Sequence, residues 1–285
     1  MELVDAHLHI WAPHTLARPW PNPQAQAHES QGVDQQQLLT AMAAAGVARG
    51  ILIPPSWEGH YNDLALAAAA AHPRRFGVMG RLDPELAASR GQLKTWRDRG
   101  FLGLRFIFHS SRDQTHFLTG DFDWVWAEAE AAAVPVTVML PGLPQMAQAL
   151  ARILQRHPDL RLSLDHLNLA PHLLPTNRAA LMAAIAPLIP LANYSNFALK
   201  TTAMAALMYS GCRLVDVSDA LAQLFDTYGS RRLFWGTDLS RSPVGYSDAI
   251  NLFTEQLSWL SAEDLAWIMG RGLCEWLDWP MESTC

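Results

Sequence analysis

The chain has 285 residues, half of them hydrophobic and 17% charged, with 21 Lys and Arg against 27 Asp and Glu for a formal charge of −6. That composition supports a large buried core and excludes disorder as the main state, and no run is long enough to span a bilayer. Lys and Arg are dispersed, so neither a nucleic-acid partner nor a membrane is expected.

Short β-branched or aromatic runs alternate with Ala- and Leu-rich stretches at helical spacing. In chain order the strands are L-V-D-A-H-L-H (3–9), R-G-I-L-I-P (49–54), R-F-G-V-M-G-R-L (75–82) and F-L-G-L-R-F-I-F (101–108). V-P-V-T-V-M-L (134–140), L-R-L-S-L-D-H-L (160–167), Y-S-N-F-A-L-K (194–200) and R-L-F-W-G-T-D (232–238) complete eight. Between them, residues 34–46, 62–73, 84–96 and 123–133 read as helices, with Gly46 and Pro73 as stop signals. Strands separated by helices imply parallel pairing through right-handed crossovers, and eight such units close into a (β/α)8 barrel. An open doubly wound sheet is the competing reading, but no G-x-G-x-x-G follows the first strand and no P-loop lysine motif occurs.

No low-complexity linker divides the chain, so residues 1–285 are expected to form a single α/β barrel domain. A final helix over 261–279 is expected to pack on the outside, and the Pro- and Gln-rich stretch 17–32 reads as a loop over the barrel mouth. Cys212, Cys274 and Cys285 are odd in number without C-x-x-C spacing, and the start M-E-L-V-D has no basic n-region. Free thiols, a cytoplasmic setting and no secretory leader are therefore expected.

Chemistry in such a barrel gathers where strands end. Strand periodicity puts His7 and His9 on one side of the first strand. Strand four carries Arg105, strand six ends at Asp165-His166, strand seven at Lys200 and strand eight at Gly236-Thr237-Asp238. Five strands thus deliver titratable groups to one rim. Ser56 and Trp57 follow strand two in P-P-S-W, and Trp11, Trp20 and Trp57 on loops suit an aromatic wall for a ring-shaped substrate.

Together V-D-A-H-L-H-I-W, G-L-R-F, L-D-H-L, A-L-K and W-G-T-D resemble the amidohydrolase-related branch of the amidohydrolase superfamily. They are most similar to its lactonases, of the L-fuconolactonase and pyrone-dicarboxylate lactonase kinds. The resemblance implies a hydrolase that opens a small sugar-acid or carboxylated lactone. Asp238 would be the general base, its pKa raised toward working pH by partial desolvation, and it would return the proton to the leaving alkoxide. His7, His9 and His166 would polarise the carbonyl, either directly or by holding one zinc-like divalent ion together with Asp238. Arg105 and Lys200 would bind substrate, with Ser56 and Trp57 as further contacts.

Departures from the family pattern narrow this. Strand four offers Arg105 where metal hydrolases of the superfamily often have a lysine, and strand five ends in Leu140-Pro141, so a binuclear site is not expected. The run D-L-S-R-S-P after strand eight and T-T-A-M-A after Lys200 differ from the relatives at the pocket. Asp5 and Asp165 read as orienting partners for histidines, and Arg241 as a solvated loop charge. Plain structural roles remain open for His166 as a hydrogen-bonded core residue, Asp238 as a helix cap and Arg105 as an ion-pair partner inside the barrel. His60, His109 and His116 follow strands two and four and stay unassigned. A metal-dependent decarboxylase and a catalytically idle, ligand-binding barrel are the alternative functions. Exposed-face composition carries no oligomer signal.

Overall fold

In the computed structural model, which describes residues 1–21, 30–140, 146–169 and 174–281, eight strands pair in chain order and all in parallel. They are β1 (Leu3–Leu8), β2 (Val47–Leu52), β3 (Phe76–Gly80), β4 (Gly103–Ile107), β5 (Val136–Met139), β6 (Leu162–Leu164), β7 (Phe197–Thr202) and β8 (Leu233–Gly236). Each lies within a segment that alternation had marked as strand, or overlaps it, and nearly every strand residue is buried. This is the (β/α)8 barrel. The stretch 22–29 of the expected mouth loop lies outside the described residues.

The seam between β8 and β1 shows how the barrel is drawn shut. The Asp238 N–H donates to the His7 carbonyl at 3.1 Å, and the Asp5 carboxylate accepts the Thr237 N–H at 3.0 Å and the Thr237 hydroxyl at 2.5 Å. Gly236 permits this approach, because a Cβ there would sit 2.6 Å from Thr202 Cγ2 and 2.9 Å from Asp5 Oδ1. Gly236→Ala is therefore expected to destabilise the fold by about 1–3 kcal/mol through overpacking, read as a lower midpoint in urea.

Helices cover the outside: α1 (Gln35–Ala44), α2 (Asp63–Ala71), α3 (Ser111–Thr119), α4 (Asp123–Ala131), α5 (Ala147–Arg156), α6 (Arg178–Ile185), α7 (Ala206–Ser210) and α8 (Leu214–Tyr228). Local chemistry sets their ends: Asp34 and Gln37 form a reciprocal cap on α1, and Ser110 with Asp113 does the same for α3. The expected helix over 84–96 is absent; the chain makes only two short 3-10 turns, Ala87–Ser89 and Gln92–Thr95. Gly91 separates them in the left-handed region at φ +80°, and Glu128 on α4 takes its N–H at 2.8 Å, so a tertiary contact holds the break. α3 and α5 to α8 lie outside the stretches named above as helical. The C-terminal segment runs as Ala262–Ala266 and Gly272–Trp276 joined through a π-helical turn at Trp267–Arg271. No helix among the described residues is long and apolar enough to cross a membrane.

Candidate active site

The polar residues of the barrel interior meet around Asp165, which is fully buried. Its carboxylate lies 2.8 Å from Arg105 Nε, 3.1 Å from Lys200 Nζ and 3.3 Å from His7 Nδ1. Burial alone would raise the Asp165 carboxyl, but the charges of Lys200, Arg105 and His7 hold it well below the usual carboxylate range. Asp165 thus orients a histidine, as expected, but the ring it faces is that of His7 and not its neighbour His166. Asp5 does not face an imidazole nitrogen; it accepts the His7 backbone N–H at 2.9 Å and joins β8 to β1. Burial pushes the Asp5 carboxyl up to about 6, against the hydrogen bonds it accepts.

Lys200 is not at the strand end. β7 continues through Thr201 to Thr202, so Lys200 is enclosed inside the barrel at 2% exposure and its ammonium faces Asp165. Thr202 occupies the rim instead, with Oγ1 2.5 Å from His166 Nδ1. The β-branched pair Thr201-Thr202 was the available signal for a longer strand.

Nearer the mouth, neighbours pin two histidines. The Ile53 carbonyl, which can only accept, lies 2.7 Å from His9 Nδ1, so that nitrogen carries the hydrogen and Nε2 presents a lone pair. His7 Nδ1 faces the Asp165 carboxylate at 3.3 Å, and with its hydrogen on that side the His7 Nε2 would be in the same state. These two Nε2 atoms are 3.2 Å apart, and Asp238 Oδ1 lies 3.3 Å from that of His9. Two lone pairs and a carboxylate oxygen facing one another repel unless a cation lies among them. Tetrahedral coordination with arms of about 2.0–2.1 Å spaces ligand atoms about 3.3 Å apart, so the donor set fits a zinc-like ion. His7, His9 and Asp238 form one group of convergent ligand atoms, and His7, Asp165 and His166 another. The second group is less suited to a metal, because Lys200 and Arg105 already neutralise Asp165.

Burial lowers the His7 imidazole well below its ordinary value and lowers that of His166, with nearby Asp165 and Asp238 opposing, which favours the neutral form a metal ligand needs. The Asp238 carboxyl departs from expectation. Burial would raise it, but the facing imidazoles, that of His9 foremost, hold it well below the usual range. Asp238 is anchored at φ +50°, its carbonyl accepting the N–H groups of Arg241 at 2.8 Å and Ser242 at 3.0 Å. His166, Leu167 and Asn168 are likewise left-handed, and the Asn168 amide clamps both backbone groups of Leu140. Such φ values in residues with a Cβ cost about 1 kcal/mol or more each, and they mark the loops that aim the site.

Two cavities flank the cluster. One of about 350 Å³ on the β6–β8 side is lined by His166, Thr202, Met204, Tyr209, Asp238 and Arg241, among others. Arg241 is thus a half-buried wall residue and not a solvated loop charge; its guanidinium lies 5.3 Å from the Trp57 ring. The other, about 420 Å³, lies on the β2–β4 side and includes Ser56, His60, Arg81 and Arg105. Trp57 lines neither. It is fully buried, with Trp11 at 5.1 Å and Trp20 at 6.2 Å, so the tryptophans pack together behind the site. His116 sits on α3 against Asp121 at 2.6 Å, and His109 is exposed.

An amidohydrolase family model matches residues 4–271. A 4-sulfomuconolactone hydrolase of Hydrogenophaga intermedia is 26% identical over 121 residues, 42% of this chain and 38% of that relative, so the match spans well under half of the curated protein. In fold the chain is similar to an amidohydrolase of Burkholderia multivorans with zinc bound, at TM-score 0.80 and 20% identity over 98% of this chain and 100% of the other. It is also similar to a probable 2-pyrone-4,6-dicarboxylic acid hydrolase of Acinetobacter baumannii with citric acid bound, at TM-score 0.76 and 16% identity over the same shares. The family match covers the eight strands except for Leu3 and includes every residue of the histidine–aspartate cluster, and the chain belongs to the amidohydrolase family.

Proposed function

We propose that the protein is a lactonase: it adds water to the ester carbonyl of a small carboxylated or sugar-acid lactone, at a centre made by His7, His9, His166 and Asp238. The observation that carries this reading is the convergence of His7 Nε2, His9 Nε2 and an Asp238 carboxylate oxygen on one point. The lactone-hydrolase name of the sequence relative supports it.

Asp238 and His166 border the 350 Å³ cavity, so both are within reach of a bound substrate and its attacking water. Asp238 is ionised at rest and takes a proton from that water as the oxygen attacks the carbonyl carbon. When the ring C–O bond breaks, the same carboxyl returns the proton to the departing alkoxide, leaving a hydroxy acid and a regenerated base. A carboxylate with a lowered pKa is a weak base, so the water must be acidified by something other than Asp238 alone. His7, His9 and Asp238 would hold a divalent ion, which when bound would supply that acidity and polarise the carbonyl. Asp165 fixes the ring of His7, and the Ile53 carbonyl that of His9, so both imidazoles are preset.

The test combines metal analysis with a lactone panel. The purified protein is expected to carry about one zinc-like ion per chain, to open a lactone from the panel, and to lose that activity with a chelator and regain it on adding zinc. CO₂ release from aromatic carboxylates without lactone opening would point to a decarboxylase. Neither reaction, with a metal-free protein, would leave an idle binding barrel.

A further inference from the structure

The β2–β4 cavity contains a cation that the histidine centre does not use. Arg81 directly follows β3, two residues beyond Met79, whose side chain faces inward against Gly103 of β4; strand phase turns Arg81 the same way. Asn62 holds its backbone on both sides, accepting the Arg81 N–H at 2.8 Å and donating to its carbonyl at 2.8 Å. The guanidinium has no such partner. Nη1 is buried without a hydrogen bond, and Arg81 forms no ion pair among the described residues.

The acids on the same wall are engaged elsewhere. Glu85 pairs with Arg112 at 2.7 Å and His116 at 3.7 Å. Asp113 accepts the Ser110 N–H at 3.2 Å in the α3 cap, and Asp83 accepts the Glu85 N–H at 2.9 Å. Arg105 opens onto the cavity with its Nε committed to Asp165, so two guanidinium groups share a space whose carboxylates, Asp83, Glu85 and Asp113, form no ion pair with Arg81. Burial first, and the Arg105 charge after it, push the Arg81 pKa down to about 9 against the opposing charge of Asp113.

We propose that Arg81, assisted by Arg105 and the Ser56 hydroxyl, binds a carboxylate that the substrate carries away from its scissile carbonyl. A planar carboxylate matches the guanidinium fork, and the cavity has room for the ring atoms that join it to the reacting ester. This rests on the lactonase reading for the place of reaction, and it makes Arg81 a determinant of specificity for anionic over neutral lactones.

The probe is benzoate, titrated calorimetrically into the protein as purified, with benzamide as the uncharged control. Benzoate is expected to bind and benzamide not, with affinity about tenfold or more lower in Arg81→Met. Arg81→Lys is expected to recover part of the loss, and Arg178→Met, exposed on α6 away from both cavities, to leave binding within about twofold. On lactones, Arg81→Met should raise KM for carboxylated substrates while kcat/KM for neutral ones stays within about threefold. No saturable benzoate binding by the unaltered protein, or equal binding by folded Arg81→Met or Arg81→Gln, overturns the proposal. Arg81-dependent benzoate binding without turnover of any lactone keeps the anion site and rejects the lactonase reading instead.

Discussion

Asp238→Asn is expected to lower kcat/KM on any lactone the protein opens by about 10³ or more, while the chain still folds. Two losses combine. An amide has no basic oxygen for the proton of water, and general base catalysis alone contributes about 10²–10⁴. The substitution also removes the negative charge beside the His7 and His9 Nε2 atoms, so a divalent cation held there would bind more weakly. Steric change is small, because Asn tolerates the left-handed φ of +50° and the anchoring bonds at this position are made by the backbone. Turnover and metal content measured on the same preparation check both losses. Full lactone turnover by Asp238→Asn would remove this residue from the chemistry.

Asp165→Asn is expected to act on stability first. The carboxylate is the shared counter-charge of Arg105 and Lys200, which are 5% and 2% exposed, and removing one member of a buried charge cluster costs about 3–5 kcal/mol. Against a typical domain stability of about 5–15 kcal/mol, that is a third or more of the whole. A second signature lies in the pH dependence. The folded carboxyl is depressed below its ordinary 3.8, so at acid pH the unfolded chain binds the extra proton and stability rises with pH. The contribution of Asp165 is therefore present above about pH 4–5 and drains away as pH falls below the ordinary carboxylate value. Urea melts at pH 7 and below pH 4 should show Asp165→Asn much weaker at the higher pH and the gap to the unaltered protein narrowing as pH falls further below 4. Adding Lys200→Met should restore part of the loss by removing one orphaned cation. Equal midpoints for Asp165→Asn and the unaltered protein at pH 7 would show that the cluster is compensated in another way.

Much of the molecule was readable from local pattern. Eight apolar runs at regular spacing identify eight strands because each strand is buried on both faces, and a strand-end filter brings His7, His9, His166 and Asp238 to one rim. The errors have physical sources. The region 84–96 is rich in helix formers, yet Gly91 and the Glu128 contact break it. Lys200 looked like a strand terminus because lysine seldom lies inside a barrel; Asp165, thirty-five residues away, makes that burial tolerable. The same filter extended to β3 would have found Arg81, which stood unremarked at the end of its run.

By itself, then, the order of residues determined the number and direction of the strands and which imidazoles and carboxylates could meet, since strand phase and burial depend on nearest neighbours along the chain. Which nitrogen of each histidine is free, which acid serves as counter-charge, and which arginine is left without one were decided only by the closed barrel. Those properties depend on a carbonyl at Ile53, an amide at Asn62 and charges on opposite strands, and no local pattern carries information about partners that far apart.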